Sequence, residues 1–309
     1  MNPNENAPQA IAPPQAVQWF PGHMAKTRRQ IRESLPLVDA VVELRDARVP
    51  ESSGNPELDR LLGSKPRIVL LNKCDLADEA ATARWLLRLR DEGFPALAVD
   101  CRSGKGLGRF APLTQELLKD LLQRRVEKGM KGKPIRLMAV GIPNTGKSSF
   151  INRLAGGARA AAADRPGVTR QNNWYPVRGG GVPMELLDTP GILWPKFEDP
   201  AVGDKLAFLG AVKDEIMDIE SLAARLLDLL TEQYPQRLAD RYKLDLEAAQ
   251  PGALLEMIAR KRGMLLPGGE ADILRAATAL LDELRGGKLG RVTLDACGGQ
   301  SAVPRTPLA

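Results

Sequence analysis

The sequence predicts an α/β domain built on a six-stranded, mostly parallel sheet, followed by a small all-α C-terminal domain. Three observations carry this. Between about residues 38 and 190, short β-rich runs alternate with longer amphipathic stretches, the pattern of a sheet covered by helices. One run, Ile135–Val140, leads straight into a glycine-bearing loop ending in Lys147-Ser148, which is the strand, loop and helix order of a P-loop. After Asp204 the strand signal stops and apolar residues recur at helical spacing only.

The expected strands are Val38–Leu44, Arg67–Leu71, Ala96–Val99, Ile135–Val140, Trp174–Val177 and Met184–Leu187. Ala77–Glu92 and Phe110–Glu127 have the helical spacing of Leu, Trp and Phe, and a further helix begins at the end of the glycine-bearing loop. Gln123–Pro134 is basic and glycine-bearing and reads as a connector between two halves of the domain. Ser221–Glu232, Pro251–Lys261 and Ala271–Arg285 read as amphipathic helices separated by Pro and Gly. The expected organisation is a disordered Pro/Ala tail at 1–17, the P-loop domain at 18–200, the helical domain at 204–292 and a loose tail at 293–309. A chain of 309 residues suits about two domains.

Composition narrows the function classes. No apolar run approaches the roughly 18 residues of a membrane span, and the N-terminus lacks the basic start and apolar stretch of a secretory signal. Cys74, Cys101 and Cys297 are scattered and His23 is the single histidine, so neither a disulfide framework nor a zinc site is expected. The expected compartment is the reducing cytoplasm. The net charge of +6 leaves open both a nucleic-acid partner and a merely solvated basic surface. Lys119 to Arg136 holds seven Lys/Arg against two acids, whereas Asp204 to Arg291 holds thirteen against fifteen.

Gly141-Ile142-Pro143-Asn144-Thr145-Gly146-Lys147-Ser148 fits G-x-x-x-x-G-K-[ST]. Glycines let backbone N–H groups wrap phosphates, Lys147 supplies a cation to the β and γ phosphates, and Ser148 can ligate Mg²⁺ at the positive end of a helix. Asn144, Thr145, Gly146, Lys147, Ser148 and Ser149 are the nucleotide-binding candidates here. Asp188-Thr189-Pro190-Gly191 starts 47 residues after Gly141 and matches D-x-x-G, with Asp188 placed to hold Mg²⁺ through a water and the Gly191 N–H to sense the γ-phosphate.

Asn72-Lys73-Cys74-Asp75 follows a strand and resembles the guanine-reading N-K-x-D element. A carboxylate at Asp75 accepts from both N1–H and the 2-amino group of guanine, a pair adenine does not present. Cys101-Arg102-Ser103 occupies the place of the base-backing S-A-K element without keeping its residues, which makes Cys101 a main-chain contact candidate only. Thr169, in Arg165-Pro166-Gly167-Val168-Thr169-Arg170, is the candidate second hydroxyl on Mg²⁺ in a first switch segment. A turn residue is the alternative for Thr169.

These elements run base-reading, base-backing, phosphate, first switch, second switch. That is a circular permutation of the usual order, which begins at the phosphate loop. Permutation leaves the sheet intact where termini lie close on the surface. It also joins Asp188–Gly191 almost directly to the helical region, so nucleotide state is expected to move that region.

From Val17 to Leu294 the chain resembles the circularly permuted GTPases of the ribosome biogenesis GTPase A type. The resemblance rests on Trp19-Phe20-Pro21-Gly22-His23-Met24, Asp46-Ala47-Arg48-Val49-Pro50, the five elements above and Gly191-Ile192-Leu193-Trp194-Pro195. It also rests on Ala259-Arg260-Lys261-Arg262-Gly263 and Gly286-Gly287-Lys288-Leu289-Gly290. It implies a P-loop GTPase fold and a cytoplasmic factor that binds the precursor of the large ribosomal subunit and contacts its RNA. It implies that this factor hydrolyses GTP and then leaves the particle; neither membrane nor DNA is an expected partner.

Ile192 stands where many GTPases place a water-positioning Gln. The resemblance assigns that role to His23, which joins Lys147 and Thr169 as the catalytic candidates. A packed or RNA-contacting histidine is the alternative. Mg²⁺ is the expected cofactor, held by Ser148, Thr169 and Asp188, and Asn144 resembles the asparagine that holds K⁺ in some GTPases. Two other function classes stay open: a GTP-dependent RNA-binding module with little hydrolysis, and an ATPase with a structural helical extension, which Asn72 and Asp75 disfavour.

Overall fold

The computed structural model describes residues 21–130, 132–157, 173–178, 181–193, 199–212, 217–250 and 252–298, without the side chains of residues 21–24. Its elements begin with α1 (Pro21–Ser34), β1 (Ala40–Asp46), α2 (Pro56–Leu62), β2 (Arg67–Asn72), α3 (Glu79–Asp91), β3 (Ala96–Ala98), α4 (Phe110–Leu117) and α5 (Lys119–Glu127). They continue with β4 (Ile135–Val140), α6 (Lys147–Ala155), β5 (Trp174–Val177) and β6 (Met184–Asp188). All six expected strands form, with ends shifted by no more than two residues. The sheet order is β3-β2-β1-β4-β6-β5, and every neighbouring pair is parallel except β5 with β6.

Period-2 alternation divides each buried strand between two cores. Val42 and Leu44 of β1, Ile68 and Leu70 of β2, and Leu137 and Ala139 of β4 pack on one face with Phe110 of α4 and Phe150 and Ile151 of α6. The Phe110 and Phe150 rings meet edge-on at 5.2 Å. On the opposite face Val41, Met138, Val140 and Leu187 meet Ile31 of α1 and Leu58 of α2, while Val69 and Leu71 meet Trp85 and Leu89 of α3. The sheet is therefore buried on both sides. The loops that follow the C-terminal ends of its parallel strands are left to bind ligands, as in other open α/β sheets.

The expected helix Phe110–Glu127 is two helices. Leu118 leaves the helical region at φ −107°, ψ 16° and sinks into the core at 3% exposure, so packing overrides a continuous pattern. Because α5 runs to Glu127, the connector to β4 begins at Lys128 rather than at Gln123. Two helices escape the periodicity reading within this unit, the 14-residue α1 and the short α2. Asn55 caps α2 by accepting from the Glu57 N–H, with Pro56 at its first turn, a start signal readable from Asn-Pro.

The second unit holds α7 (Pro200–Phe208), α8 (Ile219–Gln233), α9 (Pro235–Tyr242), α10 (Leu254–Lys261) and α11 (Ile273–Arg285). The three expected helices correspond to α8, α10 and α11; α7 and α9 also begin with Pro. Helices α8 and α11 pack along each other, with α10 against both. Glu283 of α11 gathers a bidentate Arg241 at 2.6 and 2.8 Å and the Tyr242 hydroxyl at 2.8 Å. Exposed Arg260 and Lys261 close α10.

The division between units falls after Pro195 and again between Leu289 and Gly290. This corrects two expected boundaries: the helical domain ends at Leu289 rather than 292, and residues from 293 are not loose throughout. Val292, Thr293, Leu294 and Asp295 are buried, at 1, 4, 0 and 5% exposure, and belong to the unit that carries the sheet. A stretch this short carries no periodic signal. Among the described residues no helix is long and apolar enough to cross a membrane.

Candidate nucleotide-binding site

Two glycines in the loop after β4 are required by close approach. Gly146 has φ +96°, and a Cβ there would lie 2.3 Å from the Asn72 amide nitrogen. At Gly141 a Cβ would lie 2.5 Å from the Leu44 carbonyl oxygen of β1. The loop therefore presses against the ends of β1 and β2. Within it, the Thr145 hydroxyl donates to the Ile142 carbonyl at 2.9 Å, and the Lys147 ammonium donates to the carbonyls of Gly141 (3.1 Å) and Ile142 (2.8 Å). Ser148 and Ser149 follow in the first turn of α6, where backbone N–H groups lack intrahelical acceptors and the dipole is positive.

Asn72, buried at the end of β2, joins three loops. Its Nδ2 donates to the Thr145 carbonyl at 2.6 Å and its Oδ1 accepts from the Cys101 N–H at 3.0 Å. The base-reading, base-backing and phosphate-loop candidates thus meet through one side chain, although Asn72 and Thr145 lie 73 residues apart in the chain. The Cys101 contact to Asn72 runs through its main-chain N–H. Burial, followed by Asp100, pushes its thiol up to about 12, so the sulfur stays neutral.

Lys73 adopts φ +60° and Asn144 φ +62°, left-handed conformations that cost a side-chain-bearing residue energy and cluster at functional sites. The two residues support each other. The Lys73 ammonium donates to the Asn144 carbonyl at 2.6 Å and pairs with Asp46 at 3.0 Å. Asp75 is half-buried at the loop's end.

Asp46 is a site residue that the motif reading left without a role. Buried at the end of β1, it receives the Arg48 guanidinium through both oxygens, at 2.9 and 2.8 Å, and accepts from the Arg48 N–H at 3.0 Å. Burial alone would push its carboxyl up; Arg48 and Lys73 outweigh burial and hold it well below the ordinary carboxylate range. A carboxyl depressed in the fold stabilises above its unfolded-state pKa and loses that contribution as pH falls toward the folded value. Asp46→Asn is therefore expected to lower stability by about 3 kcal/mol at pH 7. Urea unfolding at two pH values checks this: the gap to wild type narrows progressively as pH falls below about 4.

Asp188 ends β6, paired in register with Ala139 of β4. The following turn lies on the phosphate loop. The Ile192 N–H donates to the Gly141 carbonyl at 3.1 Å, and a Cβ on Gly191 would come within 3.0 Å of the Pro143 nitrogen. Thr189 is anchored by its hydroxyl to the Ala139 carbonyl at 2.6 Å. Ile192 is 1% exposed in the cluster that includes Ile31 of α1, so its side chain is committed to the core. Thr169 lies outside the described residues. His23 is placed only by its backbone, in the first turn of α1, and its side chain also lies outside them. Among the described residues no cluster of three or more His, Cys, Asp or Glu is arranged to hold a metal.

Comparison with known proteins identifies the family. A family model described as 50S ribosome-binding GTPase matches residues 136–248, beginning at β4, so the base-reading candidates precede the match. Ribosome biogenesis GTPase A of Priestia megaterium is 49% identical over 281 residues, covering 90% of this chain and 96% of that protein. The protein of the same name from Bacillus cereus is 45% identical over 279 residues, covering 90% and 93%. The structure of GNP-bound YlqF from T. maritima superposes with a TM-score of 0.63 at 29% identity, covering 88% of this chain and 99% of that one. With this likeness along nearly its whole length and the permuted loops assembled around Asn72, the chain belongs to the ribosome biogenesis GTPase A family and is a GTPase of ribosome assembly.

Proposed function

We propose that the chain binds the precursor of the large ribosomal subunit in the cytoplasm, contacts its RNA, and hydrolyses GTP to GDP and phosphate when the particle activates it. One observation carries the activation step: Ile192, in the water-positioning place after D-x-x-G, is buried in the core. Its side chain neither orients nor accepts from a water, so the group that does so comes from elsewhere. His23 is the residue assigned that role. Ile31, two turns further along α1, packs in the same cluster as Ile192, which ties the helix that starts beside His23 to the second switch.

In this reading Asp75 accepts from the guanine edge, the N–H groups of the phosphate loop and of Ser148 and Ser149 cradle the phosphates, and Lys147 exchanges carbonyl partners for phosphate oxygens. The donor set suits Mg²⁺: the Ser148 hydroxyl and the Asp188 carboxylate are hard oxygen ligands on the two loops that the Gly141 to Ile192 hydrogen bond holds together. Thr169 is the proposed third protein ligand. The ion supplies charge neutralisation at the β and γ phosphates. Asn144 is the proposed K⁺ ligand, so turnover in K⁺ is expected to exceed turnover in Na⁺. Equal rates in the two salts remove that ion from the scheme.

RNA contact is assigned to exposed cations. Arg125 is not one of them, because it is buried and pairs with Asp39 at 2.6 Å, nor is Arg136, which is only half-exposed. Arg124, Lys128 and Lys133 remain exposed on the sheet-bearing unit, and Arg260 and Lys261 on the helical unit.

The test is GTP hydrolysis by the purified chain in K⁺ buffer, alone, with large ribosomal subunits, and with small subunits as control. Stimulation of about 10³-fold by the large subunit alone is expected. The buried Ile192 also favours a second reading, a GTP-dependent binding module that hydrolyses little. Tight GTP-dependent binding to the large subunit without stimulation would select it.

A further inference from the structure

The segment Gly290–Cys297 returns from the helical unit to the sheet-bearing unit and runs against the outer side of the loop that starts at Asn72. Most of its hydrogen bonds are to main chain. Arg291 donates through Nε to the Ala77 carbonyl at 2.8 Å and through Nη2 to the Cys74 carbonyl at 3.1 Å, and it pairs with Glu79 at 3.0 Å. The Val292 N–H donates to the Leu76 carbonyl at 3.0 Å and the Leu294 N–H to the Arg48 carbonyl at 2.7 Å. The Thr293 hydroxyl accepts from the Asp78 N–H at 3.1 Å. Asp295 accepts from the N–H groups of Glu51 and Ser52.

The Cys74 carbonyl belongs to the peptide that joins Cys74 to Asp75. Its orientation sets the direction in which the Asp75 side chain leaves the backbone. The N–H of Cys74 is held from the opposite side by the Val99 carbonyl at 3.2 Å, and the preceding residue, Lys73, sits in a left-handed conformation that must be held by its surroundings. A planar guanidinium spanning two carbonyls fixes both position and angle, which a single ammonium does not.

We propose that Arg291 is a positioning residue for guanine recognition, holding the Cys74–Asp75 peptide so that the Asp75 carboxylate meets both donors of the base. This rests on Asp75 being the base-reading residue. Base discrimination then depends on a segment that the chain reaches only after α11, five residues beyond Arg285, so the sequence following the helical unit supplies part of the nucleotide specificity.

The experiment measures the affinities of the full chain for GDP and inosine diphosphate, which lacks the 2-amino group, in wild type, Arg291→Ala, Arg291→Lys, Thr293→Val and Asp75→Asn. In Arg291→Ala GDP binding is expected to weaken about tenfold and inosine diphosphate binding much less, so their ratio falls at least fivefold. Arg291→Lys recovers part of the ratio. Thr293→Val, which keeps the side-chain shape and removes the acceptor for Asp78, lowers the ratio in the same direction and stands in if Arg291→Ala does not fold. An unchanged ratio in Arg291→Ala, whether or not overall affinity drops, overturns the proposal, since a merely loosened fold weakens both nucleotides alike. If Asp75→Asn leaves the ratio unchanged, the base-reading assignment falls and this inference with it. A shifted ratio in Asp75→Asn alone removes only the role of Arg291.

Discussion

Replacing Asp75 by asparagine is expected to weaken GTP binding by roughly 10³-fold and to create a preference for xanthosine triphosphate. The carboxylate is acceptor-only and matches the two adjacent donors of guanine, N1–H and the 2-amino group. An amide turns one acceptor into a donor, which faces the 2-amino group of guanine unfavourably and the 2-oxo group of xanthine favourably. The surroundings leave the loop in place while this single group changes. Asn72 ties it to Thr145 and Cys101, Lys73 is held by Asp46 and Asn144, and Arg291 holds the Cys74 carbonyl. Competition titrations with GTP, ATP and xanthosine triphosphate read the swap directly. Retained guanine preference in the variant would move base recognition away from Asp75.

His23→Ala is expected to reduce large-subunit-stimulated turnover by about 10²-fold while leaving GTP affinity within a few-fold of wild type. Such a split between kcat and KM marks a group needed in the transition state rather than in ground-state binding. Burial of the apolar Ile192 removes the usual source of water orientation. A histidine orients or accepts from water near neutral pH, whereas alanine does neither. Single-turnover hydrolysis with saturating particles separates this outcome from a docking defect: if the rate at saturation matches wild type and only the particle concentration required rises, His23 contacts the particle instead.

Much of the scaffold was legible because its signals are local. Six β-rich runs, the G-x-x-x-x-G-K-[ST] loop after Ile135–Val140 and the D-x-x-G turn after Met184–Leu187 are readable from neighbouring residues. So is the permuted order, which only requires reading motifs along the chain. Helices α2, α7 and α9 were missed because they are too short for a periodic pattern, although Asn55-Pro56 and Asp199-Pro200 mark two of their starts. Phe110–Glu127 reads as one helix because nothing local reports the break at Leu118, whose side chain is buried.

Fold class, strand positions and the candidate motifs Asn72-Lys73-Cys74-Asp75, Gly141–Ser148 and Asp188–Gly191 are readable along the chain. That Asn72 bridges three loops, that Asp46 with Arg48 anchors Lys73, and that Arg291 and Val292 return to grip the loop from outside emerges from the folded contacts alone. The physical reason is the kind of bond involved. A motif advertises itself through side chains that meet a ligand, whereas the contacts of Asn72, Arg291 and Val292 run to or from main-chain groups, most of them carbonyls far away in the chain. Every residue has such a carbonyl, so nothing in the sequence says which one will be met until the sheet brings the loops together.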